Sequence, residues 1–217
     1  MARLFLVNQF ANTPSLPGHT RQYEIALELV RLGWRVQVFA SDFNLSQRKY
    51  KRLRFPFLWA KENMHGIQWT WLWSSPYWKN NWLRYLNMIS FCLHIACRLL
   101  FSLVCDLLRG KSKPIILASS PQLPACFVCL CIARLTRSSF VLEVRDLWPQ
   151  VLIDLGGISP NSLFIKCLSW MERVLYVNSD AIVVLSKGFK DYIRLRGANC
   201  KIEWLPNGPD LTTFKPL

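Results

Sequence analysis

Acidic residues are scarce in this sequence: 13 Asp and Glu stand against 27 Lys and Arg, a formal charge of +14. Such a balance favours anionic partners, whether nucleic acid, lipid headgroups or phosphate-bearing substrates. The opening MARLFLVNQF carries no cleavage site, so no secretory signal is expected and a reducing, cytoplasmic compartment fits. The eight cysteines sit mostly in apolar runs, where a thiol acts as a small hydrophobe. The CxxC within CFVCLC has no second pair and no histidine nearby, whereas a closed zinc site needs four ligands, so no metal is expected. Helix-turn-helix, RRM and zinc-finger patterns are missing, which argues against nucleic acid as the partner. No fixed-period repeat is visible, and this excludes a solenoid.

What is present is a large apolar content, 52% of 217 residues, enough for one well-filled domain. A mean hydropathy of +0.16 is high for a soluble chain and low for a polytopic membrane protein, so contact with a bilayer enters the reading. The run RLFLVNQF suits a central parallel strand. ANTPSLPGHT reads as a loop, RQYEIALELVRLGW as a helix with Tyr23, Ala26, Leu27 and Val30 on one face and Gly33 at its end, and RVQVFA as a second strand. That is one βαβ unit. PIILASS, PQLPACFVCLCIARL and SSFVLEV form another; DAIVVLS, KGFKDYIRLRG and CKIEWLPNG form a third, with Gly197 closing its helix. The expectation is an α/β fold, a Rossmann-like doubly wound and mostly parallel sheet.

Two segments stand outside the alternation. Residues 46–61, SQRKYKRLRFPFLWAK, have no acid and interleave cations with Tyr50, Phe55, Phe57 and Trp59. A solvated basic loop would look like this; so would a loop resting on anionic headgroups, with Arg48, Lys49, Lys51, Arg52, Arg54 and Trp59 as the membrane-contact candidates. Residues 82–109 are long and apolar enough for a transmembrane helix, but Arg84, Asn87, Ser90, His94, Arg98, Ser102, Asp106 and Arg109 recur at helical spacing. A lone span would not hold Arg98 in lipid without a partner. A long amphipathic helix, packed on the sheet or lying in the bilayer surface, fits this stripe better than a span.

The order of motifs resembles the N-terminal half of a GT-B glycosyltransferase of family 4, among them bacterial enzymes similar to the fucosamine transferases of surface-polysaccharide synthesis. The resemblance covers nearly the whole chain and rests on PGHTRQYEIALELVRLGWRVQVFAS, ASSPQLPACFVCLCIARL, FVLEVRDLWPQ, AIVVLSKGF and KIEWLPNGPDLTTFKP. It implies an acceptor-side domain over 1–205, with 46–61 and 82–109 as insertions and 206–217 opening an interdomain linker. The activity implied is a retaining, hexosyltransferase-type transfer from a nucleotide-sugar donor to a saccharide or polyprenyl-diphosphate-linked acceptor. The place implied is the cytoplasmic face of the cell membrane. Members are nearly twice this length, so the donor half is expected elsewhere, as on a separate chain, and this half is expected to be inactive alone. No cofactor is implied, because the nucleotide sugar is a substrate. A non-catalytic module binding a membrane or a partner is the alternative.

In open α/β sheets ligands bind beyond the carboxyl ends of the strands, and the site candidates follow from that edge. Gly18, His19 and Arg21 lie where the first loop enters a helix N-terminus, a position that favours phosphate. The family usually has two adjacent glycines here, where this chain has Gly18 followed by His19. His19 is equally readable as a helix-start or solvent-facing residue. Arg145 and Asp146 end the FVLEV strand; Arg145 would pair with phosphate or carboxylate, and Asp146 would meet the acceptor sugar. Asp146 is also readable as the cap of a helix starting near Trp148 with Pro149 in its first turn. Glu143 is expected in a polar network behind the site. Ser119, Ser120, Ser186 and Asn207 are candidates by position, and no catalytic residue is assigned.

Overall fold

The computed structural model describes residues 2–54, 56–79, 82–156 and 158–208. Phe55 and the linker residues 209–217 lie outside them. In chain order the elements are β1 (Arg3–Val7), α1 (Arg21–Arg31), β2 (Arg35–Ser41), β3 (Phe43–Asn44), β4 (Lys49–Tyr50), β5 (Trp59–Met64), β6 (Ile67–Leu72), α2 (Trp82–Leu108), β7 (Ile115–Ser119) and α3 (Leu123–Thr136). Then come β8 (Phe140–Val144), α4 (Gln150–Asp154), α5 (Leu163–Asn178), β9 (Ala181–Val184), α6 (Phe189–Leu195) and β10 (Lys201–Trp204).

One eight-stranded sheet runs β10-β9-β8-β7-β1-β2-β6-β5. Every neighbouring pair in it is parallel except β5 with β6. This is the doubly wound sheet expected from the alternating motifs. The winding starts at β1, moves outward through β2 and β6, then returns to the other side of β1 with β7. The reversal therefore falls between β1 and β7, where such sheets open a crevice at their carboxyl ends.

Alternation along β1 separates the two cores. Leu4 and Leu6 join Tyr23 and Ala26 of α1, together with Val36, Val38, Trp69 and Trp71. Phe5 and Val7 face the opposite way and join Phe91, Ile95, Leu99 and Leu103 of α2 and the buried side of α3. Burying each of these large side chains stabilises the fold by about 1.5–3 kcal/mol. Helix α1 ends as its sequence suggests: Gly33, at φ +85°, donates its N–H to the Val30 carbonyl at 2.9 Å. Cys126 and Cys129 are buried within α3, and burial pushes both thiols upward in pKa.

Three local features were not read from the sequence. The edge pair β5–β6 is a hairpin whose two turn residues, His65 and Gly66, have φ of +50° and +82°. The basic segment is partly ordered by the β3–β4 pair and by Asp42. One oxygen of that buried carboxylate accepts the N–H groups of Lys51, Arg52 and Leu53 at 3.0, 2.8 and 2.7 Å. The first strand stops at Val7 instead of running on to Phe10, because the Asn8 side chain accepts the Phe10 N–H at 2.8 Å and turns the chain.

Helix α2 is long and apolar enough to cross a membrane by length and composition. In the fold it packs against α3 and β6. Most of the polar stripe faces the protein: Asn87 and Asp106 are buried and Arg84, Ser90, His94, Arg98 and Ser102 half-buried, whereas Arg109, just past the helix, is exposed. The solvent side carries Tyr85, Ile89, Leu93, Phe101, Val104 and Leu107. Arg98 lies over the Trp59 ring at 3.9 Å, and burial lowers its pKa.

Candidate functional site

At the carboxyl edge Glu143 organises polar groups from the start of α1, from the ends of β7 and β8 and, through Arg21, from the segment after β10. This glutamate is 1% exposed and ends β8 with its carboxylate turned toward α1. Arg21 donates from Nε to Glu143 Oε1 at 2.8 Å, and Gln22 donates to Oε2 at 3.0 Å. The Ser119 hydroxyl donates to the same Oε2. The expected network behind the site is present, with Gln22 as a member that sequence reasoning did not name.

Arg21 is a positioning residue here. Beyond Glu143 it donates to the carbonyls of Leu205 (2.8 Å) and Pro206 (2.9 Å) and to Asn207 Oδ1 (3.1 Å). Its donors are spent on holding the segment after β10 against the start of α1, so the geometry gives Arg21, Asn207 and Ser119 structural partners. Ser120 is buried, and its Oγ accepts the Arg145 N–H at 2.8 Å, which fixes the turn that presents Arg145. Ser186 is exposed beyond β9, and no side-chain hydrogen bond is made by it among the described residues.

Asp146 does not cap a helix. Helix α4 begins at Gln150 with Pro149 as its N-cap, and only the Asp146 carbonyl is used locally, accepting from Trp148 N–H at 3.0 Å. The first-turn N–H groups of Val151 and Leu152 donate to the Leu147 and Pro149 carbonyls, each at 2.9 Å, in place of a side-chain cap. The Asp146 carboxylate is exposed and makes no hydrogen bond among the described residues. Opposite it stands His19, outside α1, whose N-cap is Thr20. Burial and the Arg145 charge lower the His19 pKa, with Asp146 opposing them. His19, Arg145 and Asp146 thus share one electrostatic environment.

The loop that carries His19 is tightly folded. Asn12 N–H donates to the His19 carbonyl at 3.1 Å, and the Asn12 amide donates to the Pro17 carbonyl at 3.2 Å. Gly18 has φ +141°, and a Cβ there would collide with the Asn12 amide. Glycine is therefore required by both backbone conformation and space. A small cleft of about 60 Å³ opens beside Gly18 and His19 and reaches Gln9 and Ser41.

Several buried polar atoms at this edge have no hydrogen-bond partner among the described residues: Asn8 Nδ2, Gln9 Oε1, Gln22 Oε1, Gln122 Oε1 and Arg145 Nε. Each such atom is costly to leave unmet inside a fold, and Asn8, Gln9, Gln122 and Arg145 lie just after β1, β7 and β8. Asn8, Gln9 and Gln122 were not singled out in the sequence. Their signal was present as polar residues directly after strand-like runs, in VNQF and SSPQ. Gln9 also donates to Asn87 Oδ1 at 2.6 Å, which ties α2 to the crevice. A larger cavity of about 500 Å³ lies at the opposite end of the sheet, between Arg3, Thr70 and Asp106. It is remote from these groups.

Of the membrane-contact candidates, Lys49, Lys51, Arg54 and Trp59 are exposed. Arg52 is turned inward, with its Nε donating to Glu62 at 2.6 Å and its guanidinium 3.9 Å from the Trp71 ring centroid. Arg48 donates to the Tyr77 carbonyl at 3.0 Å and stacks on that ring. An acid supplied from the next strand, which the segment itself lacks, accounts for the inward turn of Arg52.

No curated protein sequence matches the chain. Solved structures do. Sucrose-phosphate synthase from Thermosynechococcus elongatus aligns over 97% of this chain and 92% of its own, at 13% identity and a TM-score of 0.58. HepE from Anabaena in complex with UDP aligns over 98% of this chain and 45% of its own, at 13% identity and a TM-score of 0.52. HepE with UDP and glucose gives a TM-score of 0.51 at 13% identity, over 98% and 46%. The chain thus spans less than half of the HepE chains, and at this identity the likeness concerns the fold. The profile described as "Glycosyl transferase 4-like domain" matches residues 18–208, from the glycine of the first loop to the last described residue. On that match, and with the doubly wound sheet it entails, the chain belongs to the glycosyl transferase 4-like domain family.

Proposed function

We propose that this domain forms the acceptor side of an enzyme that transfers a sugar from a nucleotide-sugar donor to a polyprenyl-diphosphate-linked acceptor, in surface-polysaccharide synthesis. The observation that carries the proposal is the Arg145–Asp146–His19 group at the carboxyl edge of the sheet. Among the described residues, Arg145 Nε is buried with no hydrogen-bond partner, and the Asp146 carboxylate beside it makes no hydrogen bond. A cation and a carboxylate at one lip suit an acceptor bearing both phosphate and sugar hydroxyls. HepE is the neighbour seen with UDP and glucose, and the present chain spans less than half of it. We therefore assign the donor mostly to a second domain, on the same polypeptide or another, and expect residues 1–208 alone to be inactive.

The membrane reading draws on α2. Its outward apolar face and the exposed Lys49, Lys51, Arg54 and Trp59 suit a peripheral site on the inner face of the cell membrane. Its polar flank packs on the protein, as in a helix lying along a surface.

The test is binding of two probes to the purified chain: a short-chain polyprenyl-diphosphate sugar and a UDP-sugar. The acceptor analogue is expected to bind, and Arg145→Gln to weaken it about tenfold or more, the loss of one charge-assisted hydrogen bond. Binding of the UDP-sugar alone, or turnover of it by this chain unaided, would overturn the acceptor-side assignment.

A further inference from the structure

Between the first half of α2 and the segments that follow β7 and β8 lies a cavity of about 260 Å³. Its walls are almost entirely carbon, with Ile89, Pro121, Trp148, Leu152 and Phe164 among them. Among the described residues, Arg84 is the one charged residue lining it. No ion pair neutralises Arg84 among the described residues.

The cavity's lining residues border two different regions of the fold. Inward, Pro121 directly follows Ser120, the residue that fixes Arg145, and Trp148 lies two positions beyond Asp146. Outward, Ile89 and Tyr85 belong to the exposed apolar face of α2, being 55% and 48% exposed. The Tyr85 ring meets Phe164 edge-on, with centroids 5.8 Å apart, and joins α2 to α5 across the mouth. The wall therefore runs from Pro121 and Trp148, sequence neighbours of the crevice residues, to the greasy outer surface of α2. A wholly polar ligand would leave this wall unfilled, and a wholly apolar one would leave Arg84 unmatched.

We propose that this cavity seats the head-proximal segment of an isoprenoid or alkyl chain, with the phosphate joined to that chain beside Arg84 and the sugar-bearing phosphate directed to Arg145. This rests on the acceptor-side reading and specifies where the acceptor's lipid goes: the hydrocarbon leaves the crevice past Trp148 and Leu152 and continues along the outer face of α2. Charge and chain are recognised by adjacent parts of the same recess. The site therefore selects an amphiphile with its phosphate at the very end of the hydrocarbon.

A photoreactive probe tests this: an alkyl monophosphate bearing a diazirine on its first few carbons, added to the full chain below its micelle-forming concentration and mapped by peptide mass spectrometry. The expected adducts fall on Met88, Ile89, Trp148 and Leu152. Filling the recess with Ile89→Trp is expected to lower those adducts roughly tenfold, since it displaces two or more methylenes from burial. Leu152→Phe fills from the other wall and is expected to act in the same direction. Arg84→Gln is expected to weaken labelling by the phosphate about tenfold, while leaving labelling by the matching alcohol unchanged.

Adducts confined to Leu93–Leu107 in the wild-type chain would mean surface adsorption only and would overturn the proposal, as would cavity adducts that persist at full yield in both filled variants. The wild-type map needs no variant to fold. If the polyprenyl-diphosphate sugar binds the chain while the cavity stays unlabelled, the lipid seat fails and the acceptor reading stands. If the cavity is labelled but that sugar does not bind, the acceptor reading fails and the lipid seat remains.

Discussion

Arg21 and Glu143 lie 122 positions apart in sequence and meet at 2.8 Å beneath the crevice, with Glu143 fully enclosed. Glu143→Ala would leave the guanidinium and the Gln22 amide facing an empty space in a dry interior. Removing one partner of a buried pair costs about 3–5 kcal/mol. The expected outcome is a loss of that size in urea unfolding. Arg21→Ala with Glu143→Ala together should cost less than the sum of the single changes, because they share one interaction.

Gly18→Ala is expected to destabilise the chain by about 1–3 kcal/mol, the usual cost of a backbone state that side chains avoid. Part of the penalty is steric, against the Asn12 amide, and part is the φ of +141°. Thermal unfolding of Gly18→Ala in an Asn12→Gly background should recover the first part alone. Full recovery would mean that the backbone conformation there is unstrained for alanine.

His19 is expected to titrate below its ordinary 6.5, because burial and then Arg145 disfavour the imidazolium. A depressed folded-state value means the neutral form is preferred in the fold. The associated stability is complete above the unfolded-state value and is lost as pH falls through the folded one. Proton NMR of the His19 ring should show the low value. Arg145→Gln should raise it, and Asp146→Asn should lower it further by removing the opposing charge.

Helix α2 predicts the energetics of membrane contact. Leu93→Glu with Phe101→Glu is expected to reduce co-sedimentation with anionic vesicles at least about tenfold, since each side chain contributes about 1.5–3 kcal/mol when buried. Lys51→Gln and Arg54→Gln are expected to have smaller effects, about 1 kcal/mol each, that fade as salt rises. Arg52→Gln should instead lower folding stability, because its guanidinium is committed to Glu62 and Trp71.

Much of this architecture could be read in advance because alternation and helical period each report a face. The three βαβ units, the long helix at 82–108 and the glycines after α1 and α6 follow from patterns within about thirty residues. Glu143, expected in an internal network, lies in one. The rest depends on contacts far apart in sequence. The inward turn of Arg52 needs Glu62 from β5, and the capture of Asn207 needs Arg21 from α1. The outward face of α2 is settled by which side α3 covers, and composition alone leaves both sides apolar. Asp146 looked like a cap because a proline follows three residues later, but α4 starts at Gln150, beyond the carboxylate's local reach.

The grip of Arg21 on residues 205–207 has a mechanical side. Three of its hydrogen bonds hold the outgoing chain against the beginning of α1, directly over the crevice. Leu205, Pro206 and Asn207 are thereby fixed at the lip of the cleft. A rigid anchor at that point acts as a pivot: whatever is tethered there sweeps an arc centred on the substrate groups, so its travel is set more by direction than by tether length.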